Sequence, residues 1–500
     1  MARELGRRIV LIGLCFVLGA TGAVRAQGET ELKVALTADA GSLNPYTDSS
    51  VVGTQLQGHL FEPLVDYRGP EFTQTALVAE RWDNRYPTTW RFALRRGLKF
   101  HDVKELTADD VKFSFDLALA SPNVRAKVAN VTEVKALDAH TVEIKTAGPA
   151  PSLLPNIAYV FIVPKGDYTA RGPEAFGQKP IGSGPYRLER WDKGQRTVLS
   201  AFDGYWRGKK TPGRISVRPI PEGSTRLAEL LTGGVDVIQD LPVENVQQVR
   251  DNKDLAVVQA KGIRAIIFPF NSRADGPLKD RRVRQAINMA IDRETIVRDV
   301  IQGFGEARTG PFGPGQSGYN AEAAKVLAYN PDKAKALLKE AGYANGLDVT
   351  WNMCRGCWLK DSEALEVIAN QLRAVGVRVK LNLLEVNQLL ANQNNATFQV
   401  GMIRWSRTYD ADTTIAGLRA QSTIQKWYAN DEVDKLIVRG RETLDRAARE
   451  KVYQALYKAL VDDPPYIYLH AQDSVWAKRA ASDWTFNVFV GNASQALFFK

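Results

Sequence analysis

The chain has 500 residues, 44% hydrophobic and 24% charged, with ten Trp and a formal charge of +10 at neutral pH. That composition excludes disorder, and because acids are scattered among the basic residues, with no basic block interleaved with aromatics, it gives no nucleic-acid surface. Single cores stop growing at roughly 250–300 residues, so two or three domains are expected.

At the N-terminus, Arg3, Arg7 and Arg8 precede an apolar run from Ile9 to Ala20, then Val24-Arg25-Ala26. This is the order of a secretory signal peptide cleaved after Ala26. The run falls short of the roughly 20 residues that a membrane-spanning helix needs, so no permanent anchor is expected. Cys15 follows Leu14, a large residue where a lipid-attachment site carries a small one. Removing the segment takes away four Arg and one Glu and leaves a formal charge of +7.

Beyond it, Glu31 to Thr37 alternates as a strand, with Leu32, Val34 and Leu36 on one face. Turn chemistry follows at Asp39-Ala-Gly-Ser-Leu-Asn-Pro45. Trp90 to Leu94 alternates likewise. Thr107 caps a helix with carboxylates in its first turn, running through Val111, Phe115 and Leu119. Val131 to Leu137 and Thr141 to Thr146 form a strand pair. Ile181-Gly-Ser-Gly-Pro-Tyr186 is a rigid turn, its glycines tolerating positive φ and its proline fixing the backbone. Helices are expected over Val283 to Gln302, after the Asn330 cap, and over Asp361 to Ala374; strands over Leu347 to Met353 and Val377 to Leu384. Strands and helices mix without a short repeat or a long linker, which gives an α/β chain whose lobes are joined by short crossings.

With Cys15 removed, the cysteines left are Cys354 and Cys357, in Cys-Arg-Gly-Cys. In an oxidising compartment such a pair becomes a structural disulfide or stays as two thiols. Two thiols do not complete a zinc site, which wants four ligands. The strand before and helix after also fit a redox pair.

Several segments carry a resemblance: Glu62-Pro-Leu-Val65; Trp90-Arg-Phe-Ala-Leu-Arg-Arg-Gly-Leu-Lys-Phe-His101; Leu106-Thr-Ala-Asp-Asp-Val-Lys-Phe-Ser-Phe115; Gly182-Ser-Gly-Pro-Tyr186; Arg284 to Arg293; and Asn330 to Tyr343. In this order they resemble the extracytoplasmic solute-binding proteins of peptide and nickel ABC transporters (family 5). The resemblance implies a two-lobed periplasmic-binding-protein fold of type II, cluster C, with an inserted domain and a ligand cleft between the lobes. Residues 1–26 would be the signal peptide. Lobe I would comprise 27–60, 183–265 and 471–500, with the inserted domain at 61–182, and lobe II would span 266–470. It implies a monomeric periplasmic protein that captures a peptide, opine or oligosaccharide by hinge closure and delivers it to an ABC permease in the inner membrane. No cofactor is implied.

The resemblance also points to Met402 to Asp412. Trp405 matches a Trp of the peptide-binding relatives, and Thr408 stands where they carry an Asp that pairs with the peptide ammonium. A buried ion pair is stronger than a neutral hydrogen bond, so Thr408 argues against ordinary peptide selectivity. Asp410 could substitute if the loop turns differently. At the second departure, Cys357 and Trp358 stand where relatives carry Arg and Tyr, and Arg355 could supply the cation. The candidate ligand-binding residues are therefore Trp405, Tyr409, Thr408, Asp410, Trp358, Arg355 and Asp39, with Trp351 as a weaker aromatic candidate; core packing for the aromatics and turn capping for Asp39 are the rival readings. Nickel or haem capture is the alternative within the family, but His59, His101, His140 and His470 lack metal-ligand spacing. A periplasmic hydrolase is the rival from another class. It lacks the usual catalytic motifs, and Asp410 and Asp412 read as solvated turn residues.

Overall fold

The computed structural model describes residues 30–68, 73–406, 410–415, 418, 426–482, 487–489 and 495–497. A nine-stranded mixed sheet organises them. Its order is Ile403–Ser406, Leu255–Pro269, Tyr466–Arg479, Val237–Ile238, Glu31–Leu36, Arg214–Pro219, Arg196–Ala201 and Tyr186–Asp192, with Gly305–Ala307 also paired to Tyr466–Arg479. Glu31–Leu36 runs parallel to both neighbours, and Ala35 is buried along with Leu32, Val34 and Leu36. Alternation suggested one covered face; parallel strands at a sheet centre are covered on both.

A four-stranded sheet of Ala79–Tyr86, Thr89–Leu94, Thr141–Thr146 and Val131–Asp138 carries the helix Ala108–Ala120. Thr107 and Asp110 close its start as a capping box, and Val111 and Phe115 are buried beneath it. The expected helix over Val283 to Gln302 is divided. Asp280 caps Arg281–Met289, the chain breaks at Ala290 to Asp292, and Asp292 caps a new turn that continues as a π-helix over Ile296–Val300.

Gly182 and Gly184 fill a different role from the one expected. Neither has positive φ. A Cβ on either would collide with the backbone of His59 and Leu60, so glycine is needed for close approach. His101 reads the same turn: its Nδ1 accepts from Gly182 N at 3.1 Å and its Nε2 donates to Gly184 O at 3.1 Å. Burial lowers its pKa to about 4, which keeps it neutral for this pattern.

Three hydrophobic cores result. One joins Leu32–Leu36 with residues from Val52 to Val217; a second spans Ile266 to Leu469; a third packs Ile220 to Leu255 against Val475 and Ala477. Leu255–Pro269 and Tyr466–Arg479 connect them, each beginning in one core and ending in another. Their antiparallel pairing runs from Leu255 with Arg479 to Pro269 with Tyr466, and is interrupted between Ala260 and Arg264. At the interruption Gly262 has φ +56°, and the buried Asp473 carboxylate accepts from Gly262 N at 2.5 Å and from the Gln259 amide. The irregularity between the two bodies is thus fixed by a side chain of the partner strand.

Candidate functional site

The inner end of Tyr466–Arg479 is held by the helix Arg281–Met289 and the turn after it. Arg284 donates to Pro464 O at 3.0 Å and pairs with Asp463. Asn288 donates to Tyr466 O at 3.0 Å, and the fully buried Arg293 donates to Tyr468 O and to Asn288 Oδ1 at 2.8 Å. These residues present one face of the strand, Tyr468 and His470, to a cavity.

That cavity, of about 20 Å3, is lined by Gly262, Ala265 and Ile267 of one crossing strand and Tyr468, His470 and Ala471 of the other, with Arg308, Gly310, Pro311, Gln316 and Thr414 closing it. That is room for about one water molecule. A second, outer cavity of about 390 Å3 has walls that include Tyr67, Gln74, Pro151 and Pro155 on one side and Ser317, Asp410, Arg446, Arg449 and Glu450 on the other. The outer part therefore lies between the first and second cores. Ser152 Oγ, 3.4 Å from Asp412 Oδ2, crosses the same gap. Elsewhere Leu359 N donates to Gln472 Oε1 at 3.1 Å, and Lys360 Nζ lies 3.7 Å from Glu244.

Polar atoms in the inner cavity are buried and unmatched. Among the described residues, Arg308 Nη1, the Tyr468 hydroxyl and both ring nitrogens of His470 have no hydrogen-bond partner. The three side chains are 7%, 1% and 1% exposed. Arg308 Nη2 reaches Glu306 at 3.2 Å; burial lowers the Arg308 pKa and Glu306 opposes the change. Burial takes the His470 pKa down to about 3, so the ring is neutral at physiological pH. Unmatched buried polar groups are costly in a fold and are expected where something else completes them.

The candidates named from sequence are distributed around this site. Trp405 lies on Ile403–Ser406, and its backbone pairs with Ala265 of the cavity wall. Thr408 and Tyr409 lie outside the described residues. Asp410 borders the outer cavity, but its oxygens receive Arg449 Nη1 at 2.6 Å and Nη2 at 2.8 Å. Asp412 is paired with Arg441 at 2.5 Å. Both aspartates are buried, not solvated as their loop position suggested. Trp358 is buried between Phe268 and His470, with ring centroids 6.3 and 5.5 Å away, so it backs the cavity through His470. Arg355 is exposed and does not line it. Trp351 is fully buried against Phe268. Asp39 is turned to its own body, accepting from Trp191 Nε1 at 3.2 Å and Gly194 N at 2.6 Å. Cys354 and Cys357 are disulfide-bonded, and Cys357 N donates to Asp361 at 2.7 Å.

Arg308, Tyr468 and His470 were not singled out as site residues by sequence. The available signal was the run Tyr466-Ile-Tyr-Leu-His470, where alternation puts a histidine on the aromatic face of a buried strand. Among the described residues no group of three His, Cys, Asp or Glu is placed to hold a metal, and no helix is long and apolar enough to cross a membrane.

The sequence model of bacterial extracellular solute-binding proteins, family 5 Middle, matches residues 73–426. The Dipeptide-binding protein of Escherichia coli K12 is 29% identical over 448 residues, covering 82% of this chain and 83% of the relative. Among solved structures, HbpA2 from Haemophilus parasuis superposes with a TM-score of 0.82 at 24% identity, over 94% of this chain and 100% of that one. MoaA of A. tumefaciens R10, in complex with mannopinic acid, superposes with a TM-score of 0.78 at 25% identity, over 94% and 98% of the two chains.

Proposed function

Because this chain belongs to the bacterial extracellular solute-binding proteins of family 5, we propose that it is the periplasmic receptor of an ABC importer, holding a small solute in the outer cavity between the first and second cores. The observation that carries the reading is a cavity of about 390 Å3 walled by Tyr67, Gln74, Pro151 and Pro155 of one body and by Ser317, Asp410, Arg446 and Arg449 of the other. A solute seated there touches both bodies at once. It therefore has better contacts in the closed form, which is the condition for a ligand to drive closure.

Lobe I is read as 27–60, 183–265 and 471–500 with an insertion at 61–182, and lobe II as 266–470; the separate core spanning Ile266 to Leu469 supports this division. Export with cleavage near Ala26 is supported by the order of charges and apolar residues in 1–26. The chain is read as a carrier and not as a hydrolase, since Asp410 and Asp412 are each engaged by an arginine. Dipeptide and mannopinic acid binders among the relatives make peptides and opines the first solutes to try, with oligosaccharides next.

The test is a thermal-shift screen of the purified chain from residue 27 against peptides, opines, oligosaccharides and metal ions. A solute bound to the native state raises Tm with its concentration. The reading expects a saturable shift with an organic solute; a shift with metal ions alone, or turnover of any solute, would defeat it.

A further inference from the structure

The inner cavity collects hydrogen-bonding groups that no other described residue completes. Tyr468 and His470 stand two residues apart on the strand Tyr466–Arg479, and both line it. Arg308 N donates to Leu469 O at 3.1 Å, which places a third wall residue between them. Among the described residues, the Tyr468 hydroxyl, both His470 ring nitrogens and Arg308 Nη1 are unmatched, and each side chain is more than nine-tenths buried. Gly262, at the interruption between the crossing strands, is also in the wall.

At about 20 Å3 the space is too small for an organic solute. A buried water needs roughly 10–15 Å3 and about two to four polar partners. The chemistry of the wall decides between a water and an ion. Burial keeps His470 neutral, so one ring nitrogen donates and the other accepts. A halide accepts from the hydroxyl but offers nothing to the accepting nitrogen. A metal ion meets the Arg308 guanidinium and finds no carboxylate in the wall. Water both donates and accepts, and so fits both kinds of partner.

We infer that this cavity is a binding site for a single internal water, which joins the Tyr468 hydroxyl to a ring nitrogen of His470 beside the Arg308 guanidinium. The water belongs to the seam between the crossing strands and not to the outer cavity, so its occupancy does not depend on the solute the receptor takes. It completes buried polar groups that would otherwise oppose folding. It also accounts for a histidine that packs on Trp358, with ring centroids 5.5 Å apart, yet bonds to none of the described residues.

The test is a high-resolution crystal structure of the chain from residue 27, grown with bromide in place of chloride. The expected result is a single peak within about 2.5–3.2 Å of Tyr468 Oη and of one His470 nitrogen, with no anomalous signal from bromide. In solution, magnetic relaxation dispersion of the water oxygen counts long-lived internal waters. The unsubstituted chain should hold one more of them than Tyr468→Phe, which removes the hydroxyl and keeps the ring. His470→Leu removes both nitrogens and is expected to lose the same water, which keeps the test open if Tyr468→Phe fails to fold. No peak, an anomalous bromide signal, a direct bond between Tyr468 and His470, or an equal count of long-lived waters in the folded variants overturns the inference. None of these readouts involves a solute, so the receptor reading stands or falls apart from them.

Discussion

The guanidinium of Arg308 lies over the Cα of Gly313, so that a methyl group added to Gly313 would occupy the place of Nη1 and Cζ. Gly313 has no positive φ, so the restriction is one of space alone. Gly313→Ala is expected to displace Arg308, break its pair with Glu306 and lower Tm by a few degrees. Thermal unfolding followed by circular dichroism checks it; an unchanged Tm would show that the contact does not position Arg308.

Asp410 and Arg449 form a buried pair with two hydrogen bonds. Asp410→Asn removes the counter-charge and leaves Arg449 buried, at a cost of about 3–5 kcal/mol in stability. Asp410→Asn with Arg449→Met should recover much of that loss in urea unfolding. Were Asp410 instead a partner of the solute, the single variant would lose affinity and keep its stability.

Acid should destabilise the free protein through two histidines. His470 and His101 have folded pKa values of about 3 and about 4, both set chiefly by burial, whereas an exposed histidine titrates near 6.5. Between those limits the unfolded chain binds protons that the fold does not. Stability is therefore complete above about pH 6.5 and is lost as pH falls towards 4, by about 1.4 kcal/mol per pH unit for each ring. Urea midpoints between pH 7 and 4.5 measure the slope, and His470→Asn should flatten it. A slope unchanged in that variant would count against a buried neutral His470.

Reduction of the Cys354–Cys357 bond is expected to weaken solute binding several-fold. The bond closes the loop just before Trp358, which packs on His470, and Leu359 next to it bonds the crossing strand. Titration with and without reductant, repeated on Cys357→Ser, tests this. Identical affinities in all cases would make the bond a matter of stability only.

Much of the secondary structure was legible because its signals are local. Leu347–Met353 and Asp361–Ala374 appear over their expected ranges, the Asn330 cap holds Lys333 N at 2.9 Å, and Thr107 opens its helix as the capping pattern demands. Asp292 was the cap that went unread, and it divides a run whose apolar spacing looked continuous. The site was less legible. Arg308 comes from a different segment from Tyr468 and His470, and what marks the three is the absence of partners in three dimensions among the described residues, which spacing does not report. Resemblance drew attention to Trp405 to Asp410, and of these Trp405 pairs with the cavity wall while Asp410 is engaged elsewhere.

One strand carries His470 in the inner cavity wall and Asp473 at the bulge between the bodies, three positions apart. Apparent affinity scales with the fraction of molecules already competent to bind. A substitution chosen at this end of the strand to change the preferred solute therefore also alters how often the unloaded receptor resembles the loaded one. On the receptor reading, selectivity and idle signalling to a permease would be set by the same few residues, so retuning one would call for a compensating change in the other.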